Sequence, residues 1–380
     1  MLSAVDRVSG AQAGANRPAI PTGLRSERGQ RVAYLDGIRA LAIGGVLVVH
    51  WIGTRSGFAL GGYIGVDLFF VLSGYIISTM LWRGRPQGRS IAAQYRTFLR
   101  RRVVRLYPPL LAMVLGTITI YALLPNGRAR VPDLLAPGFL ALVQGSTFSV
   151  ASGHGGAFEM TWSLSIEWMF YLVWPLAILA ARRAGLDARQ GAKVVAITAA
   201  VSYLGAMFQS PNWFYFGPLA RIPEMLIGGA LALLVVECTS FPPLRRPRLA
   251  MVVAFLLVAA TVEYVLVGPG VHSVVYRCVG LPLAVCTGLD LIWLGLRAEN
   301  GLIKWLSWWP LTMLGRASYS IYLWNFVGFS LLVRPGVYEP PLVLALAVVL
   351  GATMAAVSYR FVERPFMRSE RFALVRQHRG

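Results

Sequence analysis

Arg39 and His50 stand eleven residues apart in the run Tyr34-Leu-Asp-Gly-Ile-Arg39-Ala-Leu-Ala-Ile-Gly-Gly-Val-Leu-Val-Val-His50. On an α-helix that spacing is about three turns, so both side chains project from nearly one face, about 16 Å apart along the axis. A guanidinium at one level and an imidazole at another offer an anion anchor and a titratable base. Each also has a plainer reading, with Arg39 snorkelling to one headgroup layer and His50 meeting the other. Two carboxylates could orient the imidazole. Asp67 lies in Gly65-Val-Asp67-Leu-Phe-Phe-Val-Leu-Ser73-Gly74, and Glu167 in Thr161-Trp162-Ser163-Leu-Ser165-Ile-Glu167. Glu167 also comes close to a capping box begun by Ser163. Ser73 and Gly74 read as close helix packing, as do Gly44 and Gly45.

Further cations follow in Arg100-Arg101-Arg102-Val-Val-Arg105-Leu-Tyr107-Pro108. Arg102 and Arg105 are i,i+3 neighbours on a helix, and two guanidinium forks suit the phosphates of a nucleotide cofactor. The same cluster would anchor a span at its inner end, which on spacing alone is the simpler reading. Arg221-Ile-Pro-Glu224 sets opposite charges one turn apart, either as an internal ion pair or as part of a site. There is no G-x-S-x-G elbow, H-E-x-x-H pair or phosphate-binding loop, so serine hydrolase, zinc protease and NTPase readings fall away. The three cysteines, Cys238, Cys278 and Cys286, lie in apolar stretches without paired spacing. They are read as small core residues, and no metal site is expected.

The elements that must position these groups are set by composition. Of 380 residues 56% are hydrophobic and 14% charged, and mean hydropathy is +0.60. Lipid must cover much of such a chain. The net charge of +20 is spread in short clusters between apolar stretches: Arg83, Arg85 and Arg89; Arg100 to Arg105; Arg182 and Arg183; Arg245, Arg246 and Arg248. That pattern follows the positive-inside rule, with membrane lipids as neighbours and no nucleic-acid partner. Apolar runs predict spans over 34–54, 63–82, 103–124, 161–180, 194–209, 218–237, 249–267, 275–296, 311–333 and 341–361. The piece at 134–150 would break the inside-outside alternation, so it is expected to be re-entrant or interfacial. The expected fold is all-α: a polytopic transmembrane helical bundle of about ten spans plus that segment. Residues 1–30 are expected to be a disordered basic cytoplasmic tail, 31–366 the transmembrane domain and 367–380 a second basic cytoplasmic tail. The membrane would be the bacterial inner (plasma) membrane, with both termini cytoplasmic.

The order of these clusters resembles the acyltransferase-3 family of membrane O-acyltransferases. The matching pieces are Leu35-Asp-Gly-Ile-Arg39 with its spacing to His50, Gly65 to Gly74, Arg101-Arg-Val-Val-Arg-Leu-Tyr-Pro108 and Trp162-Ser-Leu-Ser-Ile-Glu167. They continue with Arg221-Ile-Pro-Glu224, Ser318-Tyr-Ser-Ile-Tyr-Leu-Trp324 and Phe361-Val-Glu-Arg-Pro-Phe366. One departure is Asn325, where members commonly carry histidine; it puts catalysis at that position in doubt, or shifts the position to hydrogen bonding. Some members append a soluble esterase-like domain, and this chain would be the membrane domain alone. The resemblance implies transfer of an acyl group, acetyl in the first instance, from acyl-CoA to a hydroxyl of a glycan, glycolipid or glycosylated small molecule. His50 would be the base, oriented by Asp67 or Glu167, with Arg39, Arg102 and Arg105 on the acyl-CoA. Trp162, Ser163, Arg221 and Glu224 would meet the acceptor. A covalent route through Ser163 or Ser165 lacks an adjacent base, so direct transfer is preferred. The rival from another class is a transporter or flippase with Arg39, Glu167, Arg221 and Glu224 along a polar path; against it stands the missing repeat symmetry.

Overall fold

Apolar runs fold as helices in lipid because every backbone N–H and C=O must then be satisfied within the segment. The computed structural model describes residues 32–53, 58–84, 90–125, 127–236, 238, 247–297, 301–333 and 340–367. Residues 1–31, most of the C-terminal tail, and Arg85, Arg89, Arg245 and Arg246 lie outside the described residues. Ten long helices are present among the described residues, and no strand. They are α1 (Ala33–Val48), α2 (Ile64–Arg83), α3 (Ile91–Leu123), then, after the short α4 (Val131–Leu142) and α5 (Ser146–Ala151), α6 (Trp162–Arg183) and α7 (Ala188–Ala206). The short α8 (Pro211–Phe216) leads into α9 (Pro218–Val236), followed by α10 (Pro247–Val267) and α11 (Leu281–Arg297). The short α12 (Gly301–Leu306) precedes α13 (Trp309–Leu332) and α14 (Pro341–Ser358).

Eight of the ten columns combine the length and hydropathy needed to cross a bilayer. The other two are α7, with Arg189 and Lys193 in its first turns, and α13, diluted by Arg316, serines and Asn325. The segment at 134–150 is a helix of 12 residues followed by one of 6. At 1.5 Å per residue neither can cross a core about 30 Å thick. One span differs from expectation. In place of 103–124, α3 runs for 33 residues, about 50 Å, so the Arg100–Arg105 cluster is part of the helix and not a flank.

The α2 column is 72% buried and forms the centre, whereas the α10 and α14 columns are 17% and 22% buried and form the rim. Leu249, Val252, Phe255 and Leu256 on α10, and Leu342, Leu346 and Val349 on α14, present apolar surface outward. Cys278 and Cys286 are exposed on that outer surface and do not pack in the core as expected; in lipid an outward-facing position is apolar too. The central helices meet through glycine. A Cβ on Gly74 of α2 would lie 1.8 Å from the Met225 carbonyl oxygen of α9, and one on Gly228 of α9 would lie 2.0 Å from that of Val71. Without side chains at these points the two backbones touch, the usual device where packing replaces hydrophobic drive. Across α1 and α13, Asp36 receives Arg39 of its own helix at 3.4 Å and Arg316 Nε at 3.1 Å.

Candidate active site

The last turns of α1 widen into a π-turn, Val49–Gly53, that carries His50. Such turns interrupt the helical register and recur at functional sites. The imidazole Nδ1 lies 2.7 Å from Asn325 Oδ1 on α13. Asn325 Nδ2 donates to the Tyr322 carbonyl at 2.5 Å, which turns the amide oxygen toward the imidazole. An amide oxygen only accepts, so Nδ1 carries the hydrogen and the basic lone pair is on Nε2. The rings of Tyr63 and Phe326 meet the imidazole edge-on, 6.1 and 6.0 Å away.

One helical turn along α13 from Asn325, at Tyr322, a cleft opens between α1, α2, α3, α6 and α13, with a void of about 90 Å³, several times what one water needs. Arg39, Arg102 and Arg105 all line it, on three levels of two helices. The Arg102 guanidinium lies 5.2 Å from the ring centres of both Phe98 and Tyr171. Arg105 Nε is buried with no hydrogen-bond partner among the described residues. An acceptor-rich ligand group would satisfy that donor. The Tyr319 hydroxyl donates to the Leu106 carbonyl at 2.7 Å, fixing α13 to α3 next to Arg105. Further along, Glu167 accepts from Ser73 Oγ at 2.9 Å and from the Tyr171 hydroxyl at 2.8 Å. At the end toward His50, Ser163 Oγ lies 2.8 Å from the Tyr322 hydroxyl. The Tyr322 hydroxyl donates its single hydrogen to the Met160 carbonyl at 2.5 Å. The Ser163 hydroxyl therefore donates to the tyrosine oxygen.

The expected groups are thus partly brought together and partly separated. Asp67 does not orient His50. It accepts from Arg221 at 2.5 Å and from the Tyr276 hydroxyl at 2.9 Å. The reason is helical phase: Val66, Phe70 and Ser73 face the cleft, while Asp67, one residue round and two turns from Gly74, faces α9. Glu167 lines the cleft but is held by Ser73 and Tyr171, not by His50. Arg221 pairs with Glu224 at 2.9 Å, and both are at most 1% exposed. The rings of Phe214, Tyr215 and Tyr276 close round its guanidinium at 5.1 to 5.8 Å. Arg221 and Glu224 therefore form a sealed ion cluster with Asp67, outside the cleft, and Arg39, Glu167, Arg221 and Glu224 do not share one polar path. Ser163 reaches the cleft; Trp162 packs instead against Phe70, Tyr215 and Phe216.

Two features escaped the sequence reading. Asn325 stood out only as a departure, and its partner is 275 residues away. Asp290 lies mid-helix in α11 with Oδ2 buried and without a hydrogen-bond partner among the described residues; its place inside the 275–296 run was the available signal.

With this geometry in hand, comparison with known proteins decides the family. A family model described as an acyltransferase domain matches residues 32–360. The chain belongs to the acyltransferase-3 family. It is 29% identical over 366 residues to YrhL of Bacillus subtilis, a candidate peptidoglycan O-acetyltransferase, covering 90% of this chain and 56% of that protein. It is 28% identical over 368 residues to the peptidoglycan O-acetyltransferase OatA of Listeria monocytogenes, covering 89% and 56%. It is 27% identical over 382 residues to the O-acetyltransferase OatA of Staphylococcus aureus, covering 91% and 59%. The chain thus spans little more than half the length of these curated relatives. No solved structure matches it. As a member of the acyltransferase-3 family it is a multi-pass helical membrane protein.

Proposed function

We propose that this protein is a membrane-embedded O-acyltransferase that moves an acyl group, acetyl in the first instance, from acyl-CoA to a hydroxyl of a carbohydrate-containing acceptor such as a cell-surface polysaccharide. The observation that carries this reading is His50, held in one tautomer by Asn325, which is bonded to the carbonyl of Tyr322, a lining residue of a cleft that also holds three arginines, in a chain whose relatives are named for O-acetylation. Nε2 of His50 takes the proton of the acceptor hydroxyl as its oxygen attacks the thioester carbonyl. The tetrahedral adduct then expels the CoA thiolate, the C–S bond breaks, and the proton passes to sulfur. Arg102 and Arg105 hold CoA phosphates, and Arg39 stands between them and His50. The donor enters from the cytoplasm of a bacterial cell whose inner membrane holds the protein, both chain termini lying on that side. The acceptor is met at the opposite end of α1. Glu167 is a wall of the donor cleft, and its bonds to Ser73 and Tyr171 give it a positioning role. The sealing of Arg221 and Glu224 away from the cleft argues against a transporter.

The test is mass spectrometry of surface glycans and lipids from cells carrying the wild type, a deletion, or His50→Ala. An acyl-sized mass increment found only with the wild type is expected, and it would identify acyl group and acceptor together. Identical glycans and lipids in all three strains would sink the carbohydrate acceptor. A wild-type profile with His50→Ala would keep the enzyme and remove His50 as its base.

A further inference from the structure

Asp36, in the first turn of α1, has a side chain only 3% exposed and holds two guanidiniums at once. Its Oδ1 lies 3.4 Å from Arg39 Nη1, and its Oδ2 accepts from Arg316 Nε of α13 at 3.1 Å. Arg39 lines the cleft. The shared carboxylate therefore sets the Arg316 guanidinium beside a cleft wall. The backbones are fixed at the same point: a Cβ on Gly315 would lie 1.7 Å from the Asp36 carbonyl oxygen, so α13 touches α1 directly next to Arg316. Of the five N–H donors of a guanidinium, Arg316 gives the one on Nε to Asp36. Its side chain is 43% exposed, so the terminal nitrogens can meet a ligand.

α13 orders these groups along the bundle. Asn325 marks the level of His50. Six residues earlier, about 9 Å along the axis, Tyr319 bonds to the Leu106 carbonyl and marks the level of Arg105. Arg316 stands one turn further back on the same face, about 14 Å from Asn325, and Ser318 and Tyr319 beside it both line the cleft.

We propose that Arg316, held by Asp36, binds the ribose 3′-phosphate of the CoA donor. The assignment rests on the acyltransferase reading above. In CoA the sulfur, the diphosphate and the 3′-phosphate follow one another along the molecule. His50, Arg102 with Arg105, and Arg316 follow in the same order along the bundle. A phosphate monoester carries close to two negative charges at neutral pH. The paired terminal nitrogens of a guanidinium meet two of its oxygens with parallel bonds. Asp36, Arg39 and Arg316 together carry a net positive charge, which suits that anion.

The experiment compares CoA with 3′-dephospho-CoA by isothermal titration calorimetry on the purified full chain in lipid nanodiscs, alongside consumption of radiolabelled acetyl-CoA. Wild type should bind CoA at least about tenfold more tightly than 3′-dephospho-CoA, the worth of a hydrogen bond to a charged group. Arg316→Ala should lose that preference while its affinity for 3′-dephospho-CoA stays within about twofold of wild type, a change too small to count on that scale. Should Arg316→Ala fail to fold, Arg316→Lys, which keeps the charge and loses the fork, carries the same test, and the preference must fall there too. Equal affinity of the wild type for the two nucleotides overturns the site and returns Arg316 to the phosphates of the lipid headgroups. Equal weakening toward both nucleotides in Arg316→Ala marks a structural role and overturns it as well. A preference for CoA that depends on Arg316, in a protein that consumes no acetyl-CoA, leaves the phosphate site standing and removes the acyltransferase reading beneath it.

Discussion

Asn325 presents its side-chain oxygen to His50 Nδ1 at 2.7 Å, so an amide performs the orienting task for which carboxylates are the usual choice. Removing that acceptor frees the ring to adopt the other tautomer and to turn. Asn325→Ala is expected to lower kcat by about 10- to 100-fold, less than the loss of about 10²- to 10⁴-fold that removing a general base causes. Asn325→Asp, which can accept the same bond, should retain most activity. Steady-state rates of the two variants check this, and a fully active Asn325→Ala would refute the orienting role.

The buried Arg105 Nε and the neighbouring Arg102 make a specific claim about which substrate they serve. Arg105→Ala should raise KM for acyl-CoA by roughly 10- to 100-fold, the worth of hydrogen bonds to a charged group, while acceptor KM holds steady. A competition between CoA and dephospho-CoA separates phosphate contacts from the rest. Equal weakening for donor and acceptor would count against the assignment.

The cluster of Asp67, Arg221 and Glu224 predicts a loss of stability rather than of recognition. Arg221→Ala leaves two buried carboxylates without their cation, a change worth about 3–5 kcal/mol in comparable buried pairs. Thermal unfolding in detergent should show a markedly lower midpoint. A wild-type midpoint together with weakened acceptor binding would return Arg221 to the substrate site.

Glycine positions supply a matched pair of substitutions. Gly74→Ala drives a methyl to 1.8 Å from the Met225 carbonyl oxygen, a backbone atom that cannot step aside. Gly44→Ala meets nothing within 4 Å. Size-exclusion profiles of the solubilised protein should show loss of the monodisperse peak for the first and an unchanged peak for the second.

Ser163 gives its hydrogen to Tyr322 and has no base beside it, so direct transfer needs no serine ester. Ser163→Ala should keep activity within about tenfold of wild type, the worth of a single hydrogen bond. Denaturing gels after incubation with radiolabelled acetyl-CoA alone should show no protein-bound label. Covalent label that disappears in Ser163→Ala would establish the two-step route instead.

What was legible in the sequence followed from local periodicity. Apolar runs located the ten long helices, and the prolines and glycines around 134–150 marked a segment too short to cross. Arg102 and Arg105 do share a cleft-facing surface, as their i,i+3 spacing implied. The partners of the charges were not legible, because they depend on which helices pack together. Asp67 meets Arg221 across 154 residues, through a contact that Gly74 and Gly228 permit. His50 lies within a π-turn that departs from the regular phase set by Arg39, so its level was predictable but its neighbour on α13 was not.

The three-part contact of Ser163, Tyr322 and Met160 at the head of the cleft has a consequence for the cell's energy supply. On the proposed route, CoA phosphates stay with the arginines on one side of that contact, and only a small neutral acyl unit passes it. The charged residues that might have extended the polar cleft are locked together elsewhere in the bundle. A protein built this way can export a chemical modification while the membrane around it remains an electrical insulator, so the work of decorating an outer surface does not leak away the ion gradient that the cell lives on.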